Sequence, residues 1–180
     1  SFSGCGWIRP ASLVSAWSDN LPIFGLAHTY TGASTFQPGG VYDLSWNISQ
    51  KWNGAGSPSN DQIHIGSVRH DGSGVYVSDS SLDFTSVAAQ VGVWSWIYYQ
   101  YDSSNTTFGV SVNDLTLQSA ICNAIESFSD GYFVVGATFP NLSGYDGDID
   151  EVGYWSRLLT TAERTQIYAA SATTSTYPFR

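Results

Sequence analysis

The chain has 180 residues, six Lys plus Arg against fifteen Asp plus Glu, and a formal net charge of -9. That length suits one domain with one sizeable core. So acidic a chain offers no cationic footprint for nucleic acid or anionic lipid, and no uninterrupted apolar run approaches the roughly 20 residues of a membrane helix. Aromatics make up 15%, Gly numbers 18, and Ser and Thr abound, which argues against disorder and for an all-β protein. Met is absent and the chain opens on Ser1, which reads as a trimmed or excerpted product with no targeting segment to interpret.

Strand-like runs occupy 3–9, 21–29, 41–48, 62–70, 74–78, 94–101, 108–112, 132–137 and 148–155. Turn formers separate them. Asp71-Gly72-Ser73-Gly74 reads as a hairpin turn, because Asp-Gly accepts positive φ. Asp102-Ser103-Ser104-Asn105 reads as a second. Short strands with regular turns predict a sandwich or jelly roll. Two segments, 51–61 and 140–147, are rich in Gly, Ser, Asn and Pro, so each is a binding rim or a solvated connector. Thr160-Thr161-Ala162-Glu163 fits a capping box opening one helix that ends near Ala170. Ala162, Ile167, Tyr168 and Ala169 supply its expected packed face.

The residues 132–168 read YFVVGATFPNLSGYDGDIDEVGYWSRLLTTAERTQIY. The ordered set Gly136, Tyr145, Gly147, Ile149, Asp150, Glu151, Val152, Trp155, Arg157, Leu159, Thr160, Glu163 and Tyr168 resembles the laminin G-like, concanavalin A-like jelly-roll family. Residues 2–10 and 91–114 resemble that family's early strand and central hairpin, so the likeness spans nearly the whole chain. The resemblance implies an all-β fold: a two-sheet antiparallel jelly-roll sandwich of concanavalin A-like type with one short C-terminal helix. Residues 1–180 then form a single domain that lacks the strands such domains usually carry upstream. Ile149, Val152 and Trp155 recur every three residues, which a flat strand cannot place on one face, so a bulge is expected near Asp150–Glu151.

Asp146, Asp148, Asp150 and Glu151 crowd four carboxylates into six residues, which calls for a counter-charge. One reading is a structural calcium site; the family resemblance makes Asp150 the first candidate ligand, with Asp148 beside it. The other is that Asp150 and Glu151 bond backbone amides or Arg157. A polysaccharide hydrolase is a further alternative, but alternation puts Asp148 and Asp150 together and Glu151 opposite, so acid and nucleophile share one cleft only if a bulge intervenes.

Sugar sites combine exposed aromatic platforms with hydroxyl-bonding side chains. Trp52 and Asn53, with Asp61, fit that mix in one loop, and Trp17 fits it in the segment 17–20. Trp7, Trp96 and Trp155 lie in strand-like runs and are expected in the core. His28, His64 and His70 show no metal-ligand spacing. Asn47, Asn105 and Asn141 each begin an Asn-x-Ser/Thr triplet, which a chain so rich in Ser and Thr produces by chance. Cys5 and Cys122 are either a disulfide, stabilising by about 4 to 5 kcal/mol in the chain-entropy model, or two buried thiols.

The expected function is non-catalytic recognition, of glycans or cell-surface polysaccharide, on an extracellular or virion surface such as a bacteriophage's. The alternative is a virion decoration or assembly protein that contacts neighbouring subunits through its sandwich. Calcium is the only cofactor expected, and neither nucleic acid nor membrane insertion is.

Overall fold

The computed structural model describes residues 1–12, 20–29, 42–51, 60–70, 76–113, 116–122, 124–125, 132–136 and 144–172. Among them are the strands β1 (Phe2–Pro10), β2 (Asn20–Thr29), β3 (Tyr42–Lys51), β4 (Asn60–His70), β5 (Tyr76–Gln90), β6 (Ser95–Asp102), β7 (Thr107–Val112), β8 (Gln118–Ile121), β9 (Tyr132–Val135) and β10 (Gly147–Trp155), then the helix α1 (Thr161–Ala172). One sheet runs β10-β1-β6-β7-β8 and the other β5-β4-β3-β2-β9. Every pairing is antiparallel. The expected jelly-roll sandwich with one C-terminal helix is what forms.

Alternation along each strand sorts the side chains. Phe2 and Ile8 of β1, and Ile97, Tyr99 and Tyr101 of β6, enter the core between the sheets. The intervening Cys5, Trp7, Trp96 and Tyr98 point the other way and form a second cluster. From the opposing sheet, Trp46 stacks on Phe2 at 4.8 Å and Phe24 on Tyr99 at 5.5 Å. Gly4 and Gly6 make room for these rings. A Cβ at Gly4 would lie 2.2 Å from Tyr99 Oη, and one at Gly6 2.7 Å from Phe24 Cζ.

Helix α1 seals the outer cluster. Glu163 N donates to Thr160 Oγ1 at 3.2 Å and Thr160 N to Glu163 Oε2 at 2.8 Å, so the capping box forms as expected. Arg157 adds an ion pair to Glu163 at 2.6 Å. Tyr168 meets the Trp96 ring at 5.0 Å and donates its hydroxyl to Asn113 O at 2.7 Å. Ile167 and Tyr168 pack as expected, but Ala162 and Ala169 are exposed and Arg164 is buried in their place. The reason is helical period: Arg164, Ile167 and Tyr168 share one face.

Other expectations need adjusting. Of the run expected at 74–78, the part from Tyr76 on is described, and it opens a strand that continues to Gln90; β8 is an added strand. The turn at Asp71–Gly74 lies outside the described residues, although the β4–β5 pairing around it is antiparallel. The β6–β7 hairpin closes as expected, with Asp102 opposite Thr107. The bulge is also present. Between Cys5 opposite Gly153 and Trp7 opposite Asp150, β10 carries one extra residue, and Glu151 takes φ 50°. It does not align the three apolar residues, however: Ile149 packs on the inner core, Trp155 on the outer cluster, and Val152 is exposed.

The disulfide reading is corrected: Cys5 and Cys122 are both free and buried. Neighbouring strands lie about 4.8 Å apart, and β1 is three places from β8, which Cys122 follows. A disulfide tolerates no more than about 7 Å between Cα atoms. Burial pushes the Cys5 thiol up to about 11, so it stays protonated at neutral pH.

Candidate functional site

Register brings one end of every strand from β1 to β6 to a single pole. Pro10 pairs with Gly147, Ile8 with Ser95, Asn20 with Lys51, Lys51 with Gln62, and Asn60 with Gln90. Gly92 N donates to Pro10 O at 2.8 Å, which ties the turn after β5 to the end of β1. Trp17, Trp52 and Asn53 lie outside the described residues. The residues that flank their segments, Ser12 and Asn20, Lys51 and Asn60, all stand at this pole. Asp61 is the second residue of β4 and pairs with Ala89 at the same end.

The described rim of the pole is polar and aromatic. Arg9 donates from Nε and Nη2 to Asp148 Oδ2, at 2.8 and 2.6 Å. Its guanidinium carbon sits 5.1 Å from the centre of the Trp94 ring. Both partners of the ion pair remain about half exposed, with side-chain values of 45% and 55%. Ser12 Oγ donates to Asp146 Oδ2 at 2.5 Å, and Gln50 Nε2 donates to Ser12 O at 3.1 Å. Tyr145 packs below, half-buried. Burial first, then the charges of Asp148 and Asp146, raises its hydroxyl well above the ordinary value. Val91 and Val93 project into solvent from the adjoining turn.

A second polar feature leads away from this pole across the sheet of β2 to β5. Ser49 stands opposite His64, and His64 opposite Asp83. Ile48, Ile63 and Ile65 fill the core, so Ser49 and His64 take the outer face. Both are nevertheless buried, and Ser49 Oγ has no hydrogen-bond partner among the described residues.

The acidic run does not gather around one point. Asp148 and Asp150 share the outer face of the first sheet, opposite Arg9 and Trp7. Asp150 Oδ1 accepts the Glu151 amide at 2.8 Å, the backbone-bonding alternative set out above. Partial burial and then the Asp150 charge raise the Glu151 carboxyl. Both candidate calcium ligands already have protein partners. Asp148 is committed to Arg9, and no group of three His, Cys, Asp or Glu side chains suited to a metal occurs among the described residues. A glycosidase pair needs two carboxyls addressing one cleft, and of these residues Asp148 is ion-paired with Arg9.

Sequence reasoning missed Arg9, Trp94, Ser12 and Gln50. Arg9 and Asp148 are 139 residues apart, and no local pattern links them. Ser49 and His64 left a trace, since each sits beside core isoleucines in period-two alternation.

No family model matches this chain, and no curated protein matches its sequence. Solved structures do match its fold. A pentraxin from Limulus polyphemus aligns over 99% of this chain and 72% of its own, at 14% identity and a TM-score of 0.57. Domain 4 of a GH43 extracellular arabinanase from Geobacillus stearothermophilus covers 93% and 66%, at 16% identity and 0.56. The CBM40 of a Ruminococcus gnavus sialidase covers 93% and 82%, at 11% identity and 0.59. At such identities the likeness is one of fold. Among the described residues, no helix is long and apolar enough to cross a membrane.

Proposed function

We propose that this chain is a non-catalytic, laminin G-like glycan-recognition module, displayed on an extracellular or virion surface, that binds sugar at the pole around Arg9, Trp94 and Asp148. One observation carries the reading. A guanidinium lies against a tryptophan face and pairs with a half-exposed carboxylate, where two aromatic-bearing segments are anchored. Sugar rings present an apolar face and a fringe of hydroxyls, and such a rim supplies both complements. Trp94 is the apolar wall, Arg9 the donor and Asp148 the acceptor. Trp17, Trp52, Asn53 and Asp61 complete the surface in this reading. The fold supports it: the arabinanase domain was solved with arabinotriose and the CBM40 with alpha2,3 sialyllactose. A single shallow site binds weakly, and repeated copies raise the avidity.

A glycan array probed with the chain at high valency tests the reading. It expects binding that Arg9→Ala and Trp94→Ala each abolish while the β-sheet spectrum is kept. No binding to any sugar by the folded chain would overturn it.

A second reading, subunit contact in an assembly, rests on the open edges. Strands β9 and β10 end their sheets on the same side, joined by the Phe133–Tyr154 ring contact at 5.1 Å. Val135, Val152 and Tyr154 are exposed there. The Glu151 bulge and the charges of β10 oppose strand addition along that edge. A stable oligomer in sedimentation, with no sugar bound, would favour this reading over the first.

A further inference from the structure

We propose that Asn105 is an N-glycan acceptor, selected by the fold over the other described Asn-x-Ser/Thr triplet. Asn47 heads a triplet inside β3, between β2 and β4, and its Ile48 and Ser49 are both fully buried. The hydroxyl that completes that triplet is thus shut off from solvent in the folded chain. Asn105 stands exposed in the four-residue loop between β6 and β7, closed by Asp102 opposite Thr107. The third triplet, at Asn141, lies outside the described residues.

The loop is held by its own bonds. Asp102 Oδ1 accepts Ser104 N at 2.9 Å and Ser104 Oγ at 2.7 Å. Thr106 takes φ 50°, and its carbonyl accepts Cys122 N at 2.8 Å. Within the triplet, Thr107 Oγ1 donates to Asn105 Oδ1 at 2.6 Å. The hydroxyl that defines the motif is therefore already on the amide oxygen, and the amide nitrogen Nδ2 has no partner among the described residues. An Asn-x-Thr triplet on an exposed loop is the acceptor arrangement for N-glycosylation in a secreted chain. The co-reactant is a lipid-diphosphate-linked oligosaccharide presented by a transferase of the secretory pathway. Nδ2 bonds to the first sugar carbon, the bond from that carbon to the diphosphate oxygen breaks, Nδ2 gives up one proton, and the lipid diphosphate leaves. The loop lies at the opposite pole from Arg9 and Trp94, so a glycan there leaves the proposed sugar site open.

The test is expression of the full chain behind a secretion signal in a eukaryotic cell, with Asn141→Gln as background. Medium and cell lysate are both digested and read by peptide mass before and after endoglycosidase. The expected result is one glycan, on the Asn105 peptide, that Thr107→Ala removes and Asn47→Gln leaves in place. An unmodified Asn105 peptide in both fractions, or a glycan on Asn47 of the secreted chain, would overturn the proposal. Neither result bears on sugar binding at the other pole.

Discussion

Two residues show how tightly single positions are determined. Gly4 faces the Tyr99 ring, and nothing larger than hydrogen fits between them. Gly4→Ala forces the ring or the strand to move, and overpacking of this kind costs about 1 to 3 kcal/mol. A denaturant midpoint that stays unchanged in that variant would contradict the packing. Arg164 is the converse case. It is only 9% exposed, its guanidinium lies 5.0 Å from the Tyr98 ring centre, and one hydrogen bond reaches Thr161 Oγ1. Among the described residues its Nε and Nη1 have no hydrogen-bond partner. A buried charge without a counter-ion is replaced by an apolar side chain at little cost or with a gain. Arg164→Met is expected to hold or raise the melting temperature, and a clear fall would show a missing partner for the guanidinium.

At the level of elements, the helix was legible because its signals are local. Thr160 and Glu163 are three residues apart and bond each other, so the cap could be read directly. Arg157 completes the arrangement and holds the Glu163 carboxyl at about 2, below its ordinary 4.5, through its hydrogen bond and with help from Thr160. A carboxyl depressed in the folded state stabilises above its unfolded value, and that contribution disappears as pH falls from about 4.5 through about 2. Thr160→Ala is expected to cost about 1 kcal/mol, and Glu163→Gln to flatten the acid limb of the stability profile between those values. An acid limb identical to that of the parent chain would contradict the role of the cap. The bulge in β10 forms where it was expected, but the recurrence of Ile149, Val152 and Trp155 was not its cause, since the three do not come to one face. Strand β8 was not legible. Gln118–Ile121 is four residues long and ordinary in composition, and it is a strand only because β7 offers an edge. The packed face of α1 was misread because alanines are compatible with either side of a helix, while an arginine is not expected inside.

For the whole molecule, the sandwich was legible in the alternation of its strands and in its C-terminal motif. The candidate site was legible only in part, because a pole is assembled from chain ends far apart in sequence. Asp148 stood out by charge, but its partner Arg9 sits on a strand 139 residues away. The aromatic excess is likewise divided by the fold: Trp46 and Trp96 are fully buried, while Trp94 remains at the rim. Stability should come from this core and not from a crosslink or ion. The free thiols and the Arg9-bound Asp148 predict one melting temperature with or without reductant, and with or without a calcium chelator. A drop with either reagent would restore the corresponding disulfide or calcium reading. The central claim is that sugar is held at the pole around Arg9, Trp94 and Asp148, and the direct measurement is a backbone-amide NMR titration with an oligosaccharide captured on the array. Shifts are expected only at residues near 9–12, 91–94 and 145–148 and in the adjoining segments. Shifts centred on the β6–β7 hairpin or the β9–β10 edge would contradict it.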